Sequence, residues 1–172
     1  MKIKALIIAL LAISILSCSK DDDNSDSEDE IKITGTWDLT EMNYEGTTTI
    51  NFEGIPVPVN IEGVGEDIDA QIVFEEEPNT VNASGTLTSV VTITVLTEST
   101  TEEIPINLSD FITSGTWTLS ENTLIVVDTE GEEQTFEVNS LTETTLDLTT
   151  EQEITYEGTT VDVTMDVILM RQ

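Results

Sequence analysis

The stretch Ile154-Thr155-Tyr156-Glu157-Gly158-Thr159-Thr160-Val161-Asp162-Val163-Thr164-Met165-Asp166-Val167-Ile168-Leu169 decides the fold class. From Val161 onward the odd positions are apolar (Val161, Val163, Met165, Val167, Leu169), while Asp162, Thr164 and Asp166 take even ones. A period of two is the mark of a strand with one buried face. Glu157-Gly158 supplies a two-residue turn that sets Tyr156 opposite Thr159 and Ile154 opposite Val161. That register gathers Ile154, Tyr156, Val161 and Val163 on one side, whereas a three-residue loop would separate them.

The same period runs back through the chain. Gly35-Thr36-Trp37-Asp38-Leu39-Thr40 puts Trp37 and Leu39 on one face, and Glu45-Gly46 reads as a turn. Thr48, Ile50 and Phe52 then share a face. Beyond Gly54-Ile55-Pro56-Val57-Pro58 the apolar residues Val57, Val59 and Ile61 fall on odd positions. This change of parity predicts a bulge, a bend or a second short strand, placed at an edge or rim by its two prolines. Ile68, Ala70, Ile72 and Phe74 form the next face. Val91, Ile93 and Val95 point inward in a run over Gly85 to Leu96, Glu98 to Glu103 reads as a turn, and Ile104-Pro105-Ile106 as a short strand. Leu108 and Phe111 suit a loop plugging one end of a barrel. Asn122 to Asp128 is apolar on both faces, so its register stays unread. Phe136 and Val138, then Leu146 and Leu148, bring the total to about eight to ten strands by the same patterning. The class is all-β. A closed up-and-down antiparallel barrel or a two-sheet sandwich would each cover the apolar face.

Ahead of these strands the chain is of another kind. Lys2 and Lys4 precede an uncharged, mostly aliphatic run from Ala5 to Leu16. As a helix that run would measure about 18 Å, well short of the roughly 30 Å hydrocarbon layer, and so reads as a signal peptide core. Residues 19–30 hold seven acids and one lysine, which favours an extended, solvated tether. The expected organisation is a signal peptide over residues 1–17, Cys18 with an acidic tether over 18–30, and one domain over 31–172.

Composition narrows the chemistry. The formal net charge is −30, histidine is absent, and Cys18 is the only cysteine. Within residues 31–172 the only bases are Lys32 and Arg171. Such a surface repels nucleic acid and anionic lipid and gathers divalent cations diffusely. Ser–His and Cys–His nucleophile systems and the usual zinc, copper and haem ligands are unobtainable in this domain. Neither an EF-hand nor a Gly-rich phosphate loop can be read in the chain. A catalytic carboxylate pair is the one remaining enzyme chemistry, and the abundance of acids makes such a pair uninformative. No enzyme activity, cofactor or metal centre is expected, and the protein is expected to be a monomer. Self-repulsion should make the melting temperature climb between low and physiological NaCl, or with added Ca²⁺; a flat response contradicts this.

Two resemblances add to this reading. Ile15-Leu16-Ser17-Cys18 resembles the lipoprotein box of bacteria, which implies cleavage before Cys18, lipidation of its thiol and a membrane anchor. The acidic tract behind it resembles that of surface-exported lipoproteins of some Gram-negative bacteria, which implies an outer-membrane protein displayed at the cell surface. Gly35-Thr36-Trp37 resembles the Gly-x-Trp of lipocalins. Gly115-Thr116-Trp117-Thr118-Leu119-Ser120-Glu121-Asn122-Thr123-Leu124 is similar to a Gly-x-Trp…Asn-x-Leu segment of bacterial lipocalin-like lipoproteins. The lipocalin Thr-Asp-Tyr motif is not present in the chain. The resemblance implies a lipocalin-like barrel, with Arg171 stacked across Trp37. It also implies a small hydrophobic ligand inside, lined by Phe52, Phe74, Phe136, Tyr156 and Met165. The same side chains suit a filled core, which would leave a non-catalytic envelope module that binds a protein or glycan partner.

Overall fold

The computed structural model describes residues 31–156 and 159–172. The signal peptide, Cys18 and the tether lie outside the described residues. So do the Glu157-Gly158 turn and the Tyr156 side chain.

Among the described residues the chain forms nine strands and one short 3-10 turn, Leu108–Asp110. The strands are β1 (Gly35–Phe52), β2 (Ile55–Glu75), β3 (Thr80–Val95), β4 (Glu98–Asn107), β5 (Gly115–Ser120), β6 (Thr123–Val127), β7 (Glu133–Leu141), β8 (Thr145–Tyr156) and β9 (Thr159–Arg171). Every pairing is antiparallel. Sequential hairpins run from β1 to β4 and from β5 to β9, and β9 returns to β1. The ring closes between β3 and β5 at Thr80↔Thr116 and Val81↔Gly115. β4 pairs with β3 further along, beside that closure. The result is an eight-stranded ring with β4 as an added flap, the antiparallel barrel that the lipocalin resemblance implied and one of the two arrangements the pattern allowed. Ring closure removes most free edges, which is why this solution suits so many consecutive hairpins.

The closing hairpin has the register expected from its turn, with Tyr156↔Thr159 and Ile154↔Val161. Val161, Val163, Met165, Val167 and Leu169 are all buried. Elsewhere the strands are longer than the turn signals imply. Glu45-Gly46 lies inside β1, and the chain reverses at Glu53-Gly54, both at positive φ. With Phe52↔Ile55 flanking that two-residue turn, even positions of β1 face odd positions of β2. The parity change is therefore the hairpin itself. Likewise Glu98 to Glu103 is strand rather than turn, because the reversal falls at Leu96-Thr97. A bulge between Leu39 and Glu41 shifts β1 from odd to even inward positions. A second, around Asp67 at φ 47°, does the same for β2.

The lower part of the barrel is filled. Trp37, Ile72, Leu124, Val126, Phe136, Leu146, Leu148, Met165 and Leu169 are almost inaccessible to solvent and belong to one continuous core. Trp37 closes its floor. Its Nε1 donates to Ile33 O at 2.7 Å, and the Arg171 guanidinium carbon lies 4.1 Å from its ring centroid. Arg171 also donates from Nη1 to Thr34 O (2.6 Å) and from Nε to Glu143 O (2.8 Å), tying the floor to the chain on either side. A Cβ on Gly35 would come within 2.7 Å of Arg171 Nη1, so the glycine of the first Gly-x-Trp makes room for the guanidinium.

Candidate ligand site at the open end

Five of the six longest strands, β1, β2, β3, β8 and β9, make up one side of the ring, with the sixth, β4, as the flap beside β3, while β5, β6 and β7 are short. Pairing of β7 with β8 begins at Phe136↔Thr150, so β8 runs on past its neighbour. The long strands therefore project past the packed core as an open trough.

A plug separates core from trough. The 3-10 turn buries Leu108, and Phe111 stacks on Tyr44 with ring centroids 6.1 Å apart and planes 24° from parallel. Gln134 Nε2 donates to Phe111 O at 2.8 Å, Gln152 Nε2 donates to the same oxygen, and Thr113 N donates to Gln134 Oε1 at 2.8 Å. The loop is thus tied to β7 and β8. Tyr44 Oη and Ser89 Oγ, both buried, form a hydrogen bond of 2.9 Å across β1 and β3. Burial pushes the Tyr44 hydroxyl above its ordinary pKa, and the bond with Ser89 pulls in the opposite direction.

Tyr44 has its place because Gly63, opposite it on β2, lacks a side chain. A Cβ there would lie 2.0 Å from Tyr44 Cζ. Gly63→Ala should displace the ring from its bond with Ser89 and cost about 1–3 kcal/mol, as overpacking does. The expected readout is a lower urea midpoint. An unchanged midpoint contradicts this.

Above the plug the inner face stays apolar without being sealed. Ile50, Val57, Ile93, Val95, Ile104 and Ile154 are half-buried, and Phe52 and Ile55 at the tip of the first hairpin are 65% and 63% exposed. Register makes this one surface: Ile50↔Val57, Val59↔Val95 and Ile61↔Ile93 share the face of buried Val59 and Ile61. Beside the plug a polar groove of about 700 Å³ opens, lined by Phe111, Gln134, Thr150, Gln152 and several acids.

The five expected lining residues are dispersed. Phe74, Phe136 and Met165 are in the core, and Phe74 meets Trp117 edge-on at 6.0 Å. Trp117 Nε1 donates to Glu75 O at 3.0 Å. Phe52 has the expected inward parity but does not reach the interior, because β1 carries it beyond the ring. Of the expected five, only Phe52 is placed by the described side chains at the open end. Tyr44, Ser89, Gln134 and Gln152 were not among the expected residues. Gln134 and Gln152 stand at inward parity among apolar neighbours, and that polarity out of phase was the available signal. Among the described residues no three acids, histidines or cysteines converge as metal ligands.

Comparison with known proteins gives one result. The family described as a lipocalin-like domain matches residues 33–148. No curated protein and no solved structure matches the chain.

Proposed function

The chain belongs to the lipocalin-like domain family, and we propose that it is a lipid-anchored outer-membrane protein, displayed at the cell surface, that holds a small hydrophobic molecule against the inner face of its open end. The observation that carries the reading is the unsealed apolar trough, with Ile50, Val57, Ile93 and Val95 half-buried and Phe52 and Ile55 exposed above the plug. Apolar surface left on an inward face costs about 25 cal/mol per Å² in water, and an apolar occupant would recover it. On this reading the ligand sits above Tyr44 and Phe111 rather than deep inside, a placement favoured by the filled lower barrel. The role is non-catalytic.

Residues 19–172, made without lipid, provide the test, with the neutral fluorophore N-phenyl-1-naphthylamine as probe. Saturable fluorescence enhancement is expected. Phe52→Asp, at an exposed tip where folding is spared, should weaken it by about tenfold, the loss of one well-buried aromatic contact. Absence of saturable uptake would overturn the ligand reading.

A further inference from the structure

Among the described residues β4 has a strand neighbour on one side only. The ring closes past it through β3 and β5, so its second edge flanks the open side of the barrel. The other strand left exposed there, β8 beyond Thr150, is partly covered: Gln152 anchors the plug at Phe111 O. Among the described residues no strand covers the outer edge of β4.

Hairpin geometry fixes which groups that edge presents. Val95 and Glu98 flank a two-residue turn and so form a hydrogen-bonded pair. Glu98, Thr100, Ile104 and Ile106 therefore turn their backbone groups toward β3. Ser99, Thr101 and Glu103 turn theirs outward, as does Pro105, which has no N–H to offer. A proline at that position is tolerated because no described strand of this chain needs its hydrogen bond.

Side chains specify the partner. The outer face of β4 carries Glu103 beside a row of hydroxyls, with Thr92 bonded to Thr101 at 3.2 Å and Thr94 to Ser99 at 2.9 Å. Its inner face carries half-buried Ile104 and Ile106. A second copy of this chain, formally −30, would be repelled. Acids on an edge strand guard against self-association and attract a segment of opposite charge. We propose that the free edge of β4 accepts an extended segment of a basic partner protein as an added strand, its apolar side chains covering Ile104 and Ile106 and its lysines or arginines meeting Glu103. Backbone pairing would supply affinity, and alternation would supply specificity.

The test uses the full chain as isolated from cells in a neutral detergent. The probe is a synthetic peptide of alternating lysine and valine, and a glutamate–valine peptide serves as its control. The expected result is saturable, salt-sensitive binding of the lysine peptide alone, with new hydrogen-exchange protection at the Ser99, Thr101 and Glu103 amides. N-methylation of the peptide along one edge should weaken binding by at least about tenfold, and along the other edge far less. Glu103→Lys should weaken it by a similar factor without changing the circular dichroism spectrum. Equal binding of both peptides, indifference to N-methylation, protection confined to other strands, or no binding would each overturn the proposal.

Discussion

Trp37→Ala lowers the stability of the domain by about 3–5 kcal/mol, the usual loss for a large aromatic removed from a core. Trp37 has no solvent exposure, donates to Ile33 O, and lies under Arg171. The substitution leaves a cavity at the floor, strands the Ile33 carbonyl and takes away the face on which the guanidinium rests. A guanidinium–indole contact contributes about 0.5–2 kcal/mol by itself. Single domains have only about 5–15 kcal/mol in hand, so the variant should sit near its unfolding threshold at 37 °C. Trp37→Phe separates the contributions, since it keeps most of the volume and loses the Nε1–H bond, for a smaller loss of about 1–2 kcal/mol beyond the packing difference. Urea midpoints of the two variants check this. Equal midpoints for both variants and the parent would mean the floor carries no such weight.

The second large effect concerns location. Cys18→Ser should move the protein from the membrane fraction to the soluble fraction almost completely. Each buried CH₂ contributes about 0.8 kcal/mol, and one acyl chain binds only reversibly, so an anchored lipoprotein depends on several chains gathered on one residue. Serine offers no thiol for a thioether, and no other cysteine can replace it. No helix among the described residues is long and apolar enough to cross a membrane. Most strands of the domain turn their apolar sides inward and their acids outward, so its outer surface should repel anionic lipid. Fractionation of cells carrying the variant, with mass spectrometry of Cys18 in the parent, checks both halves. A bare Cys18, or a Cys18→Ser protein still in the membrane fraction, contradicts the anchor.

Strand identity was legible wherever one face is buried and the period of two survives. The closing hairpin is the clearest case: Val161 to Leu169 alternate without interruption, and Glu157-Gly158 admits one register. The first hairpin was misjudged because glycine serves two purposes. Gly46 looks like a turn residue, yet it sits inside β1 because a Cβ there would come within 2.4 Å of Asp162 O on β9. The reversal at Leu96-Thr97 carries no local signal, and Leu96 is held at φ 58° with Val95↔Glu98 paired on either side of the turn. At the candidate site, inward parity was readable for Phe52, Phe74, Phe136 and Met165, but depth was not. Alternation states which side of the sheet a residue takes. It does not state whether the strand is still inside the ring at that height, and this difference separates Phe52 at 65% exposure from Phe136 at 1%.

Methyl nuclear magnetic resonance during titration with N-phenyl-1-naphthylamine tests the central claim most directly, because it reads every level of the barrel at once. The account predicts saturable shifts at Ile50, Ile55, Val57, Ile93 and Val95, and little change at Leu146, Leu148 and Leu169 below the plug. Shifts centred on the lower core, or a titration that leaves the methyls of the open end where they were, would contradict it.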